Sequence, residues 1–392
     1  MKHKKPTLQR PVGFPASESR PVVTPLSPSV VYASDHPDML DEQYEGKISG
    51  FTYAREGHPN AQVLAQILDQ MESAENGTVM GSGMAAVTST ILATLSHGDH
   101  IIGGDQLYGR SLRLMHEELP RMGIGYTLAN ASSSEDIAAA IQSNTKMILI
   151  EAISNPTLRV ADFNGIAEIC KKENIILAVD NTFTTPKAFQ PLLFGADIVI
   201  HSVTKLLAGH SDVTLGYAAA KDPVLNKRIY DFAVTTGLTA SPFDCWLAER
   251  GLLTFDLRFE KAQQTAEVLA KALSDHPNVS KVLYPKRNDH PDVALAHTYL
   301  NGNGCNMVSF ELAKQNRATA NKFTEALDGI AFAPTLGDVG TTLSHPVSSS
   351  HRSMSRKDQL KNGITEGFFR VSVGLEPEED LISSFLSALN TL

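Results

Sequence analysis

Covalent staples, membrane spans and excess positive charge are all scarce in this chain. Its 392 residues include only three cysteines. Cys170, Cys245 and Cys305 are far apart and in no Cys-x-x-Cys pattern, which gives a disulfide framework or a zinc site little support. They read as reduced, buried thiols in a reducing compartment. No apolar run approaches the length that crosses a bilayer. The start, Met1-Lys2-His3-Lys4-Lys5, is basic, but Pro6, Gln9, Arg10 and Pro11 stand where a secretory signal needs an apolar segment. With 34 Lys and Arg against 43 Asp and Glu, the formal net charge is −9, which argues against a nucleic-acid surface or a polybasic membrane anchor. A cytoplasmic protein handling small molecules is the expectation these absences leave.

What is present is an ordinary globular composition, 42% hydrophobic and 20% charged, in a chain long enough for about two or three domains. Residues 1–60 are rich in Pro, Ser and Asp and lack a sustained period, so they read as an arm that is either a tail or a segment that packs on something else. The arm ends in Gly50-Phe51-Thr52-Tyr53-Ala54-Arg55-Glu56-Gly57, where Arg55 offers a planar fork for an anion. Val63, Leu64, Ile67, Leu68 and Met71 recur at helical spacing. Gly81-Ser82-Gly83-Met84 then leads into a second helix, whose first amides could close on a phosphate or allow tight packing.

From residue 99 the pattern becomes regular, with strands at 99–104, 146–151, 174–180 and 197–200 and helices between them. Such alternation predicts an α/β architecture with a mainly parallel sheet covered on both faces. Ligands of these sheets gather outside the carboxyl ends of the strands. Glu151 with Asn155, Asp180 with Asn181, and Ser202 to Lys205 all fall there. Past Pro223 the alternation stops. A long helical region, 241–274, is expected to carry Arg258, Glu260 and Lys261 on a solvated face, followed by a turn-rich stretch, 277–292. Strands at 306–312 and 369–373 and helices at 317–327 and 377–389 then suggest a smaller α+β domain. The expected division is an arm at 1–60, a large domain at 61–255 and a C-terminal domain at 256–392.

Lys205 follows the apolar run Asp197 to Ile200. A lysine emerging there into solvent is the ordinary reading, but a buried amine can form a Schiff base with an aldehyde cofactor. Pyridoxal phosphate would need a carboxylate at its pyridine nitrogen, for which Asp180 is suited, and a stacking ring, for which Tyr108 is suited. Its phosphate would need amides, hydroxyls and a cation, available at Gly83, Met84, Ser202, Thr204 and Arg55. A non-catalytic nucleotide-binding module using only the glycine turn is the remote alternative.

Seven motifs in order carry a family likeness across nearly the whole chain. They are Tyr53-Ala54-Arg55-Glu56-Gly57, Gly81-Ser82-Gly83-Met84-Ala85-Ala86, Leu107-Tyr108-Gly109, Glu151 with Asn155-Pro156-Thr157, Asp180-Asn181-Thr182-Phe183, Ser202-Val203-Thr204-Lys205 with Gly209-His210-Ser211-Asp212, and Arg370-Val371-Ser372-Val373-Gly374-Leu375-Glu376. This series resembles the cysteine and methionine metabolism (transsulfuration) enzymes. The resemblance implies an aspartate-aminotransferase-like, type I pyridoxal phosphate fold, assembled as a homotetramer of two tight dimers. It assigns Lys205 as Schiff-base lysine and proton carrier, Tyr108 as stacking ring and proton mediator, and Asp180 as pyridinium partner. Gly83, Met84, Ser202 and Thr204 become the phosphate cradle, Tyr53 and Arg55 reach the neighbouring subunit's phosphate, and Arg370, with Asn155 and the main chain at Thr335, holds the substrate α-carboxylate.

The resemblance implies a carbon–sulfur lyase acting on a sulfur-containing amino acid. A γ-replacement transferase, either an O-acylhomoserine sulfhydrylase or a cystathionine γ-synthase, is the alternative. Departures from the family pattern bear on that choice. Gly340 stands where many cystathionine-handling members have glutamate, Asp338 is similar to methionine γ-lyases and homoserine sulfhydrylases, and Arg110 replaces a cysteine or glycine. His58 and Asn60 replace the usual Asn and Thr after the arm motif.

Overall fold

The computed structural model describes residues 17–352 and 354–392, so the basic start of the chain and the first part of the arm lie outside the described residues. Seven strands form the larger sheet: β1 (Thr78–Met80), β2 (His100–Gly104), β3 (Gly125–Ala129), β4 (Thr145–Glu151), β5 (Ile176–Asp180), β6 (Ile198–Ser202) and β7 (Gly216–Ala220), in the order β1-β7-β6-β5-β4-β2-β3. Only β7 runs against the others, pairing antiparallel with both β1 and β6. The mainly parallel sheet is therefore as expected, with one reversed strand, β7, set between the edge strand β1 and β6.

Period-2 alternation sorts the strand residues between two apolar layers. Met147, Leu149, Ala178, Ile198 and Ile200 pack with Ala86 and Ile91 of α3 (Gly83–Thr94). Ile148, Ile150, Leu177, Val179 and Val199 pack on the opposite side with Phe163, Ile166 and Phe189. In the register, Glu151 stands beside Asp180 and Asp180 beside Ile200. The alternation thus sends Glu151, Asp180 and Ser202 to the α3 side as their strands end. Ser82 starts α3 by accepting from the Ala85 amide at 3.0 Å, which is why this helix begins beside those strand ends.

A second sheet, β8 (Val279–Leu283), β9 (Met307–Leu312), β10 (Ala331–Phe332), β11 (Thr342–Ser344) and β12 (Phe368–Ser372), is ordered β10-β11-β12-β9-β8. Phe310 and Phe369 face each other across β9 and β12 and meet Phe323 and Phe385 from two helices. Alternation then turns Arg370 away from this aromatic layer. Ser309 donates to the Pro156 carbonyl at 2.6 Å, and Arg159 grips Asp292 with two nitrogens at 2.5 and 2.7 Å. Both contacts tie the loop after β4 to the C-terminal half.

Several expectations need correction. The helical region 241–274 is two helices, Pro242–Leu252 and Phe255–Ser274. Arg258 does not sit on a solvated face: it is 8% exposed and donates to the carbonyls of Leu206, Leu207 and Gly251 at 2.9, 3.0 and 2.9 Å. The turn-rich stretch contains β8. The arm carries a short helix, α1 (Pro37–Tyr44), and it packs in part on its own chain. Asn60 accepts from the Ser27 amide at 2.9 Å and donates to the Pro25 carbonyl at 3.0 Å, and Trp246 donates to the Thr24 carbonyl at 2.9 Å. His58 caps α2 (Pro59–Glu72) through the Ala61 amide at 3.1 Å. Among the described residues, no helix is long and apolar enough to cross a membrane.

Candidate active site

The carboxyl ends of β4, β5 and β6, the start of α3, the central strand β12 of the second sheet and the loop after β10 enclose a cavity of about 290 Å³. Lys205, Tyr108, Gly83, Met84, Asp180, Ser202, Thr204, Asn155, Thr335 and Arg370 all line it. Tyr53 and Arg55 do not. Arg55 lines a separate cleft with His58 and Tyr230, and its guanidinium lies 5.3 Å from the centre of the Tyr53 ring. Arg110, Asp338 and Gly340 are also absent from the cavity wall.

Asp180 is fixed at the cavity floor by Thr182, whose amide donates to it at 3.0 Å and whose hydroxyl donates at 2.5 Å. The same hydroxyl oxygen accepts from the Ser202 amide at 2.9 Å. Burial raises the Asp180 pKa, while the Thr182 hydrogen bonds and the charge of His201 oppose the rise. Thr204 bonds the Leu215 main chain through its own hydroxyl, donating at 3.1 Å and accepting at 2.9 Å. Burial, and then the Arg370 charge, push the Lys205 amine below the ordinary lysine range. That shift favours the free-base form that nucleophilic and proton-transfer chemistry requires.

Arg370 forms the opposite wall. Its Nη1 donates to Asn155 Oδ1 at 2.6 Å and its Nη2 to the Thr335 carbonyl at 2.9 Å. Its guanidinium also lies 5.8 Å from the Phe183 ring centre. Burial lowers its pKa to about 10, with Tyr108 and Glu151 acting against the fall. At this value the group is charged at neutral pH. Its Nε is buried without a hydrogen-bond partner among the described residues, an uncompensated donor that a bound carboxylate would satisfy.

A cofactor phosphate fits the start of α3. The Gly83 and Met84 amides lie in the first turn, where helical geometry supplies no acceptor. A Cβ at Gly83 would stand 2.7 Å from Ser202 Cβ and Oγ, so only glycine permits this close approach. Sequence reasoning gave no task to Thr182, Phe183, Ser349 or Ser350, which also line the cavity. Thr182 had a usable signal, since a hydroxyl residue two positions after Asp commonly closes a turn on the carboxylate. The serines come from a loop distant in sequence, and the similarity of Ser348-Ser349-Ser350-His351 to homoserine sulfhydrylases gave them no task.

A lysine, an aspartate, a helix N-terminus and an arginine fork around one cavity of an α/β fold define an enzyme of the pyridoxal phosphate class. The family model described as Cys/Met metabolism PLP-dependent enzyme matches residues 13–390, and the chain belongs to that family. Its cofactor is pyridoxal phosphate. Two relatives come from Bacillus subtilis (strain 168). The chain is 39% identical to a cystathionine gamma-lyase, over 88% of its own length and 90% of the relative. It is 38% identical to a cystathionine beta-lyase, over 88% of each. A crystal structure of cystathionine gamma synthase from Xanthomonas oryzae pv. oryzae, in complex with cystathionine, superposes with a TM-score of 0.89 at 34% identity, covering 94% of this chain and 93% of that one. The expected type I fold is therefore found.

Proposed function

We propose that the chain is a carbon–sulfur lyase that eliminates a thiol from the β or γ carbon of a sulfur amino acid. The observation that supports it best is the placing of the Lys205 amine in one cavity with the Arg370 fork and its unpartnered Nε. In this reading Arg370, Asn155 and the Thr335 main chain hold the α-carboxylate. Lys205 takes the proton from Cα and returns one to the product, and Tyr108 passes a proton to or from the leaving group. Asp180 holds a positive charge opposite it. Gly83, Met84, Ser202 and Thr204 hold the phosphate. Pyridoxal phosphate, when bound, supplies the electron sink for the charge left at Cα.

Tyr53 and Arg55 serve a second copy in this reading, the assembly being a homotetramer with shared sites. The side chain of Arg55 is half exposed, and among the described residues its ion-pair partner is Glu56, 3.6 Å away, which leaves it available to another chain. Three free, buried cysteines suit a cytoplasmic setting.

A γ-replacement transferase is the second reading, favoured by the likeness to a cystathionine gamma synthase. One experiment separates the two. The purified protein is given cystathionine, methionine, cysteine and O-acylhomoserines, with and without sulfide, and initial rates of 2-oxo acid formation are compared. Steady 2-oxo acid without added thiol is expected. Product only from an O-acylhomoserine together with sulfide or cysteine would replace the lyase by the transferase.

A further inference from the structure

Glu151 is the ionisable side chain of the cavity wall for which the proposed chemistry has no use. It ends β4 beside Asp180 in the register, and it is 9% exposed. Burial, and then the Asp180 charge, raise its pKa well above the ordinary carboxyl range, while the Tyr108 and Asn155 amides and the Arg370 charge favour its ionised form. A neutral side chain would fill this place without bringing a second carboxylate towards Asp180. What Glu151 gains there is shown by its two oxygens.

One oxygen accepts the Tyr108 amide at 2.6 Å and the other accepts the Asn155 amide at 3.0 Å. These amides belong to different walls. Tyr108 enters the helix Gly109–Arg113 without a side-chain cap; its carbonyl accepts the Leu112 amide, and its own amide is held by the Glu151 carboxylate. Asn155 receives Arg370 Nη1 on its side chain at 2.6 Å. A continuous chain of bonds therefore runs from the Tyr108 main chain through Glu151 and Asn155 to the Arg370 guanidinium.

We propose that Glu151 is a positioning residue that sets the Tyr108 ring and the Arg370 fork at a fixed separation. The inference rests on the reading of this cavity as the pyridoxal phosphate and amino-acid site. A carboxylate of this length suits the task because both oxygens are acceptors and neither presents a hydrogen to an amide. Glutamine has the same shape, but its NH2 group would confront one of the two amides. That amide would then lose its acceptor, and either Tyr108 or Asn155 would shift.

The test compares wild type, Glu151→Gln, Arg370→Lys and the double variant, each prepared as apoprotein and titrated with pyridoxal phosphate. The wild type is expected to take up the cofactor. Glu151→Gln is expected to change the circular dichroism of the bound cofactor, because the stacked ring moves, and to lower kcat/KM for cystathionine by roughly 10- to 100-fold, as a misplacement near 1 Å does. In the Arg370→Lys background, Glu151→Gln is expected to lower kcat/KM by a smaller factor, because part of its effect passes through the fork. Should Glu151→Gln not fold, Glu151→Asp replaces it, keeping two acceptor oxygens one methylene short; it is expected to show the same changes to a lesser degree. Unaltered dichroism with unaltered kcat/KM, or factors that multiply independently in the double variant, would overturn the positioning role alone. A wild-type chain that takes up no cofactor would overturn the site reading and this inference together.

Discussion

Arg258 and Gly209 compete for one volume: a Cβ at Gly209 would stand 2.0 Å from Arg258 Nη1. Gly209 has a φ of +77°, so glycine is required there by conformation as well as by space. The guanidinium donates to the Leu206 and Leu207 carbonyls, the two residues after Lys205, and to Gly251 at the end of the preceding helix. An always-charged fork thus closes the turn that follows Lys205. Arg258→Met is expected to leave the buried Leu206 and Leu207 carbonyls without their donor and to destabilise the fold by on the order of 3 kcal/mol. Urea unfolding at fixed pH measures the loss, and a midpoint equal to wild type would contradict it.

The approach of Gly83 to Ser202 leads to a prediction about the cofactor. Gly83→Ala must push Ser202 aside or tilt the start of α3, and overpacking of this kind costs about 1–3 kcal/mol. The affinity of the apoprotein for pyridoxal phosphate is expected to fall by roughly tenfold or more. A fluorescence titration reads this directly. Gly104, where an added Cβ would meet the Ala131 side chain at an ordinary 3.5 Å, is the control position.

How far all this could be read from residue types depends on which atoms do the work. Strands β4, β5 and β6 were legible because buried parallel strands are continuous apolar runs. Strand β7, with Gly216 and three alanines, carries no β-branched signal and escaped notice. Lys205, Asp180, Tyr108 and Arg370 could be placed from their side-chain chemistry and their motifs. Glu151 acts on the amides of Tyr108 and Asn155, and amides do not appear in a sequence. Arg258 was misplaced because arginine usually lies at the surface; its burial follows from a loop elsewhere whose carbonyls need a donor.

Arg370→Lys tests the carboxylate clamp. A lysine ammonium is a point charge and cannot bond Asn155 Oδ1, the Thr335 carbonyl and a substrate carboxylate in one plane. Loss of a charge-assisted bond of about 2 kcal/mol corresponds to roughly a thirtyfold fall in kcat/KM. Most of the fall is expected in KM, with cofactor uptake retained. A change confined to kcat would remove Arg370 from ground-state binding.

His351 gives the fold a defined acid sensitivity. It is 1% exposed. Burial first, and the Arg370 charge second, lower its pKa from 6.5 to about 4. The unfolded chain therefore binds a proton near pH 6.5 that the folded chain refuses until about pH 4. Because the unfolded state holds more protons in this window, stability falls as pH drops through it and levels off below. The contribution of this one group amounts to about 3 kcal/mol across the full window. His351→Gln has no proton to bind in either state. Its urea midpoint should depend less on pH than that of wild type between pH 6.5 and 4, the shared titration of the acidic residues being subtracted by the comparison. Parallel curves for the two proteins would show that His351 titrates in the folded chain as it does in the unfolded one.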